Sequence, residues 1–318
     1  MGAPRRANRQ SVRVTGGLSD VGELSRALLA AGIEAAFPQS DFARLAVIDR
    51  GFGSIVVGLP EEVIVRVPRT EVVAAAHVHE GRLLSLLRAR VPVAVPEVRW
   101  RASPAAGLPF GASAYQWMAG SQPVVPVAAN GSLVNDLAAF IARLHTTPLS
   151  LIDGVQLPGP RELAQGRRDD GAAVEPELRK RLLPREFSRL QARLAGVLGD
   201  PLLDDFAPVL RHGDLWFGNL LIDESSGRLT AVLDWEHAAI GDPAEDIATQ
   251  RYLGDGGYAA VADRYAQLVD DLDPQLLRRA DHHFALREIS GIRRCIEMHD
   301  DDELTAELEK LRTGPLLA

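Results

Sequence analysis

The chain has 318 residues, 46% of them hydrophobic and 25% charged, with a formal net charge of -8. That length can bury a large core as one big domain or two lobes, and no apolar run reaches the length of a membrane-spanning helix, so no membrane partner is expected. The acidic balance disfavours nonspecific nucleic-acid binding and allows a cationic small substrate. The single cysteine, Cys295, excludes an intrachain disulfide framework and a Cys/His zinc cluster, which points to the cytoplasm.

In chain order, the first ten residues are basic and no continuous apolar segment follows them. This predicts a loose tail over about residues 1–15 and no secretory leader. Short apolar runs at 45–49 and 55–57 flank a turn carrying Gly51 and Gly53, and a second turn at 58–62 leads into the run 63–67, closed by Pro68. The pattern predicts an antiparallel meander. Residues 71–90 carry an apolar stripe at three- and four-residue steps, the signature of an amphipathic helix. Residues 92–100 suit an edge strand or linker, and 112–118 form another apolar run. From there the pattern turns helical, over 133–145, 176–198 and roughly 257 to the end, with a Gly-, Pro- and charge-rich stretch at 150–175 expected to be a loop. Two short β-like runs, 220–222 and 230–233, interrupt the helices. The expectation is an α+β chain with a small strand-rich lobe at 1–118 and a larger helical lobe at 119–318.

The chemistry-bearing segment is His212-Gly213-Asp214 with Asn219 five positions after the Asp, followed beyond a short hairpin by Asp234. Phosphoryl transfer needs a positioned hydroxyl, an acceptor for its proton, and neutralised phosphate charge. A kinase loop meets these needs with an Asp, an Asn and a second Asp at this spacing. Asp214 is then the base, and Asn219 and Asp234 offer hard oxygen ligands to Mg2+. His212 reads as a buried residue fixing the loop. Glu80 falls on the apolar stripe of its helix, where an unpaired carboxylate is costly to bury. Arg66, mid-strand among valines, is its natural partner. In kinases a strand Lys pairs with a helix Glu and holds nucleotide phosphates, so Arg66 and Glu80 are assigned to the nucleotide.

Together with 234–236 and 240–246, these motifs resemble the aminoglycoside phosphotransferase family, which includes macrolide kinases and has a protein-kinase-like two-lobed fold with a cleft between the lobes. The resemblance covers about residues 45–294. It implies ATP or GTP as co-substrate with Mg2+, Gly53 and Ser54 in a lid over the phosphates, and a hinge at Gln116, Trp117 and Met118. Asp246 is implied to brace the catalytic loop. The family usually shows Lys where this chain has Arg66, and Arg keeps the charge with a different geometry. For the acceptor, Glu236 and Glu288 are the candidate carboxylates, with Trp216 near the base. The implied activity is phosphorylation of a small-molecule hydroxyl, of an antibiotic first (aminoglycoside, macrolide or peptide), conferring resistance. A metabolic kinase of choline, sugar or amino-acid type on the same fold is the alternative, and a non-catalytic nucleotide-binding protein the second. A monomer or homodimer is expected.

Overall fold

A computed structural model of the chain describes residues 23–37, 46–49, 53–59 and 63–318. The expected tail at 1–15 and the turn residues Gly51 and 60–62 lie outside the described residues. The described chain divides into two compact units, one running to Gly81 with Pro96–Ala119, the other made of Arg82–Val95 and Gly120–Ala318. The expected boundary after residue 118 lies beside the last of these crossings, and 82–95 joins the second unit.

The first unit holds α1 (Glu23–Ala36), β1 (Ala46–Asp49), β2 (Ser54–Leu59), β3 (Val63–Pro68), the first turns of α2 (Glu71–Leu87), β4 (Val98–Ala102) and β5 (Ala112–Gln116). The strands form one antiparallel sheet in the order β1-β2-β3-β5-β4. Period-two alternation sorts its residues. Val57, Val63, Val65, Val67, Ala112 and Ala114 share one core with Ile33 and with Phe37 just past α1. Ser54, Arg66, Ser113 and Tyr115 alternate onto the opposite face, where the partners of the first three come from α2 and β4. The strand pattern above does not contain α1. Its Ala, Leu and Glu are strong helix formers, a signal of propensity and not of strand alternation.

The second unit holds α3 (Ser132–His145), α4 (Pro160–Arg181), α5 (Pro184–Leu198), β6 (Val209–Arg211), β7 (Leu220–Ile222), β8 (Leu229–Val232), β9 (Ala239–Gly241), α6 (Ala244–Ala248), α7 (Asp255–Ala266), α8 (Leu276–Met298) and α9 (Asp301–Thr313). The loop expected at 150–175 is a helix over most of its length. Pro160 stands at the first helical position, where its missing N–H costs nothing. The Glu162 carboxylate accepts the Gly159 amide at 2.7 Å. Ala164, Gly171, Val174 and Leu178 form its narrow buried stripe, with polar residues on the remaining surface. Leu178, Phe187, Leu190, Ile289, Ile292, Leu304 and Leu308 make a core joining α4, α5, α8 and α9.

Residues 82–95 join this unit through the β7–β8 hairpin. Ala94 donates to the Thr230 carbonyl and accepts from the Val232 amide, both at 3.0 Å. On the other side of the hairpin, Ser121 and Ile222 exchange two backbone bonds at 3.0 and 2.8 Å. The hairpin is thus extended by a strand segment on each flank.

Candidate active site

The motif loop leaves β6, which pairs antiparallel with β9, and turns at Gly213 with φ 85°. A side chain there would be strained, and its Cβ would come within 2.3 Å of the His237 carbonyl oxygen. The turn is fixed from below by Asp246 on α6, which is fully buried. One Asp246 oxygen accepts the Gly213 amide at 2.8 Å, and the other accepts the His212 amide at 2.8 Å and His145 Nε2 at 3.2 Å. His145 Nδ1 in turn meets the Tyr265 hydroxyl at 2.9 Å. Burial alone would raise the Asp246 pKa. The His145 hydrogen bond and charge, with His212, outweigh it and hold the carboxyl at about 2.

The His212 ring is wholly buried. Nδ1 receives the Asp214 amide at 3.2 Å, and Nε2 lies 2.9 Å from the Leu233 carbonyl. An amide must donate and a carbonyl must accept, so the ring is neutral with its proton on Nε2. Burial pushes the His212 pKa down, in the same direction.

Asp214 is held at both carboxylate oxygens. Asn219 Nδ2 donates to Oδ2 at 3.0 Å and to the Asp214 main-chain carbonyl at 2.8 Å. Arg287 Nη1 donates to Oδ1 at 2.9 Å. With its amide nitrogen committed to Asp214, Asn219 keeps Oδ1 as an acceptor. The Leu233 amide donates to the Asn219 carbonyl at 2.8 Å, which sets Asp234 beside Asn219 at the open end of the hairpin. Asp234 has φ 59°, a left-handed conformation tolerated by Asp more readily than by bulkier residues. A carboxylate and an amide oxygen from neighbouring strand ends are hard oxygen donors of the type a magnesium ion takes.

In the first unit, Arg66 Nη1 reaches both Glu80 oxygens at 2.8 Å, with the guanidinium carbon 5.9 Å from the Tyr115 ring centre. Both side chains are largely buried. Ser54 departs from its expected place in a phosphate lid. The strand alternation turns it toward α2, where it is buried with its hydroxyl 3.0 Å from His77 Nε2. Burial first, then the charges of Arg66 and Arg101, push His77 down to about 3 and keep it neutral. Gly53 uses its carbonyl to accept the Arg69 amide at 2.9 Å. Gln116 is exposed at the end of β5 with its side chain bonded to Arg99, and Trp117 and Met118 follow, partly buried.

Among the acceptor candidates, Trp216 stacks edge-on to Phe217 and Tyr252, with centroids 4.8 and 6.3 Å apart, and its ring covers Gly218 so closely that a Cβ there would meet it at 2.4 Å. Glu236 is exposed, 3.7 Å from His237. Glu288 does not face the loop. It is buried toward α9, against Gly314 and beside Glu307. Burial, then Glu307, push its pKa up to about 7. One residue earlier, Arg287 points the other way, because adjacent helical positions differ by about 100°. Arg279, His283 and Arg287 at four-residue steps share the face toward β9, α6 and the motif loop: the first two hold Asp242 at 2.8 and 2.9 Å, and Arg287 holds Asp214. That basic i, i+4, i+8 spacing was the signal available in the sequence for Arg287.

An antiparallel-sheet unit, a larger helical unit and this loop define the protein-kinase-like α+β class. The chain belongs to the phosphotransferase enzyme family, APH, whose family model matches residues 44–282. An uncharacterised Bacillus subtilis (strain 168) protein, YcbJ, is 25% identical over 262 residues, 78% of this chain and 82% of that protein. Among solved structures, the GDP and kanamycin complex of APH(2")-IIia superposes with TM-score 0.76 at 22% identity over 89% of this chain and 96% of that one. The macrolide 2'-phosphotransferase MphH from Brachybacterium faecium superposes with TM-score 0.66 at 24% identity over 90% and 97%. Among the described residues no helix is long and apolar enough to cross a membrane.

Proposed function

We propose that this chain moves the γ-phosphoryl group of ATP or GTP to a hydroxyl of a small molecule, with Asp214 as the base. The observation that carries this reading is the Asp214 carboxylate, held by Asn219 at 3.0 Å and by Arg287 at 2.9 Å in a loop clamped by the buried Asp246. A carboxylate oriented by two donors is suited to accept the hydroxyl proton as the hydroxyl attacks phosphorus. Asn219 Oδ1 and Asp234 would hold Mg2+, which supplies charge neutralisation on the phosphates. Arg66, anchored by Glu80 through Nη1, is the cation proposed for the nucleotide phosphates, and the backbone of 116–118 would receive the nucleobase. His212 and Asp246 hold the loop.

An antibiotic is the first acceptor class to test, because the solved relatives include a kanamycin-bound APH(2")-IIia and a macrolide 2'-phosphotransferase. The test is release of ADP or GDP from the magnesium nucleotide across a panel of aminoglycosides, macrolides, peptide antibiotics, choline and sugars. Asp214→Ala is expected to lower turnover by about a hundredfold to ten-thousandfold with nucleotide affinity nearly unchanged. Equal turnover by that variant would refute the assignment. Turnover confined to choline or a sugar would replace the antibiotic with a metabolic acceptor.

A further inference from the structure

The Asp214 carboxylate has a cation and a row of aromatic rings as neighbours. Arg287 lies 2.9 Å from its Oδ1, with its side chain only one quarter exposed. The guanidinium carbon sits 5.4 Å from the Tyr252 ring centre, and its Nε is buried without a hydrogen-bond partner. Tyr252 continues into an aromatic row, 6.3 Å from Trp216 on one side and 5.4 Å from Phe284 on the other. A second guanidinium, that of Arg251, lies over Phe284 at 5.6 Å and pairs with Asp281. The rings of Trp216, Tyr252 and Phe284 are all partly exposed.

The nearby acidic residues of the sequence are turned elsewhere. Asp242 is buried against Arg279 and His283. Glu245 pairs with Arg211 at 3.2 Å, and Asp246 is buried under the loop. Glu288 faces α9, so Glu236 is the exposed carboxylate of this stretch.

We infer that Arg287 is a positioning residue that acts through Asp214, and that its charge selects the acceptor: a neutral or acidic hydroxyl compound with a flat apolar face, in preference to one whose reacting hydroxyl is flanked by an ammonium group. The inference rests on the phosphotransfer reading above. A hydroxyl bonded to Asp214 at about 2.7 Å lies within a few ångströms of the guanidinium. Alone, a half-buried carboxylate would attract an ammonium there. Paired with Arg287 its charge is cancelled, and an added cation meets the guanidinium in a site of low effective dielectric. The aromatic row offers stacking area to a flat neutral body.

The test compares native chain, Arg287→Lys, Arg287→Met and Arg287→Gln in magnesium-nucleotide turnover. The acceptors are water, 4-nitrophenyl glucoside as a flat neutral probe, and glucosamine and kanamycin as cationic ones. Arg287→Met is expected to lower kcat by about tenfold or more with nucleotide KM within about twofold, and Arg287→Lys to recover most of the loss, a split that loss of folding does not produce. Arg287→Gln is expected to shift the ratio of kcat/KM toward the cationic probes by about tenfold. Melting temperatures of the three variants identify any that fail to fold; if the neutral variants do, the native chain's own order of kcat/KM decides, and a native preference for the cationic probes overturns the inference. Unchanged kcat in Arg287→Met, or a native chain that prefers kanamycin with the preference untouched in Arg287→Gln, overturns the inference. If Asp214→Ala abolishes turnover while the Arg287 variants keep it, the inference alone falls. If the native chain turns over no nucleotide with any acceptor, the phosphotransfer reading falls and takes this one with it.

Discussion

Replacing Asp246 by Asn would keep the shape of the buried side chain and remove its charge. The carboxylate accepts two main-chain amides, at His212 and Gly213, and the His145 ring. Its pKa of about 2 against the ordinary aspartate value of 3.8 corresponds to about 2 kcal/mol of preference for the charged form in the folded state. A carboxyl whose folded pKa is depressed adds stability only while it is ionised. This stability is fully present above about pH 4 and is lost as pH falls toward 2. Asn does more damage than a proton, since its NH2 turns a donor toward groups that must themselves donate. With hydrogen bonds to a charged group worth about 1.5–3 kcal/mol each, the loss should reach about 3 kcal/mol or more. Urea unfolding at neutral pH measures it, and amide exchange at His212 and Gly213 localises it. Both amides should exchange faster in the variant. A loss below about 1 kcal/mol, or unchanged protection of both amides, would refute the bracing role.

Glu288 gives the opposite pH signature. Its folded pKa of about 7 exceeds the ordinary glutamate value of 4.5, so its contribution is fully present below about pH 4.5 and disappears as pH rises through 7. Glu288→Gln should therefore stabilise the chain by about 2 kcal/mol at pH 8 and change little at pH 4.5, read as urea midpoints at the two values. Glu80→Leu should destabilise by about 3 kcal/mol because it removes the carboxylate from the buried Arg66 guanidinium, and adding Arg66→Met should recover much of that loss in melting temperature. Gly213→Ala should cost about 1–2 kcal/mol from its left-handed φ alone, and the approach of its Cβ to the His237 carbonyl should displace the loop and reduce nucleotide turnover with it.

The catalytic candidates are legible in the sequence because their geometry is local: five residues separate Asp214 from Asn219, and one hairpin separates both from Asp234. Glu80 is legible for a different reason, since a carboxylate on an apolar stripe demands a cation and Arg66 stood on a strand nearby. Arg287 is 73 residues from Asp214, and spacing alone does not join positions so far apart. Glu288, the expected acceptor carboxylate, is one residue from Arg287, and that single step of helix phase turns its side chain to α9 instead of the loop. Ser54 is an error of strand phase: its hydroxyl suits a phosphate, and alternation sends it to His77. The stretch 150–175 misleads because composition outweighs position. Pro160 and Gly159 at a helix start carry the same letters as a loop and the opposite meaning.

The neutral tautomer of His212 bears on where a proton can travel. Its Nδ1 lone pair is taken by the Asp214 main-chain amide, and its Nε2 proton by the Leu233 carbonyl. Neither ring nitrogen touches the Asp214 carboxylate. The side chain beside the base is thus no relay into the protein interior. In the proposed reaction, the proton that Asp214 takes from an acceptor departs from the partly exposed carboxylate to solvent or product, and each turnover resets the base from the open side of the loop.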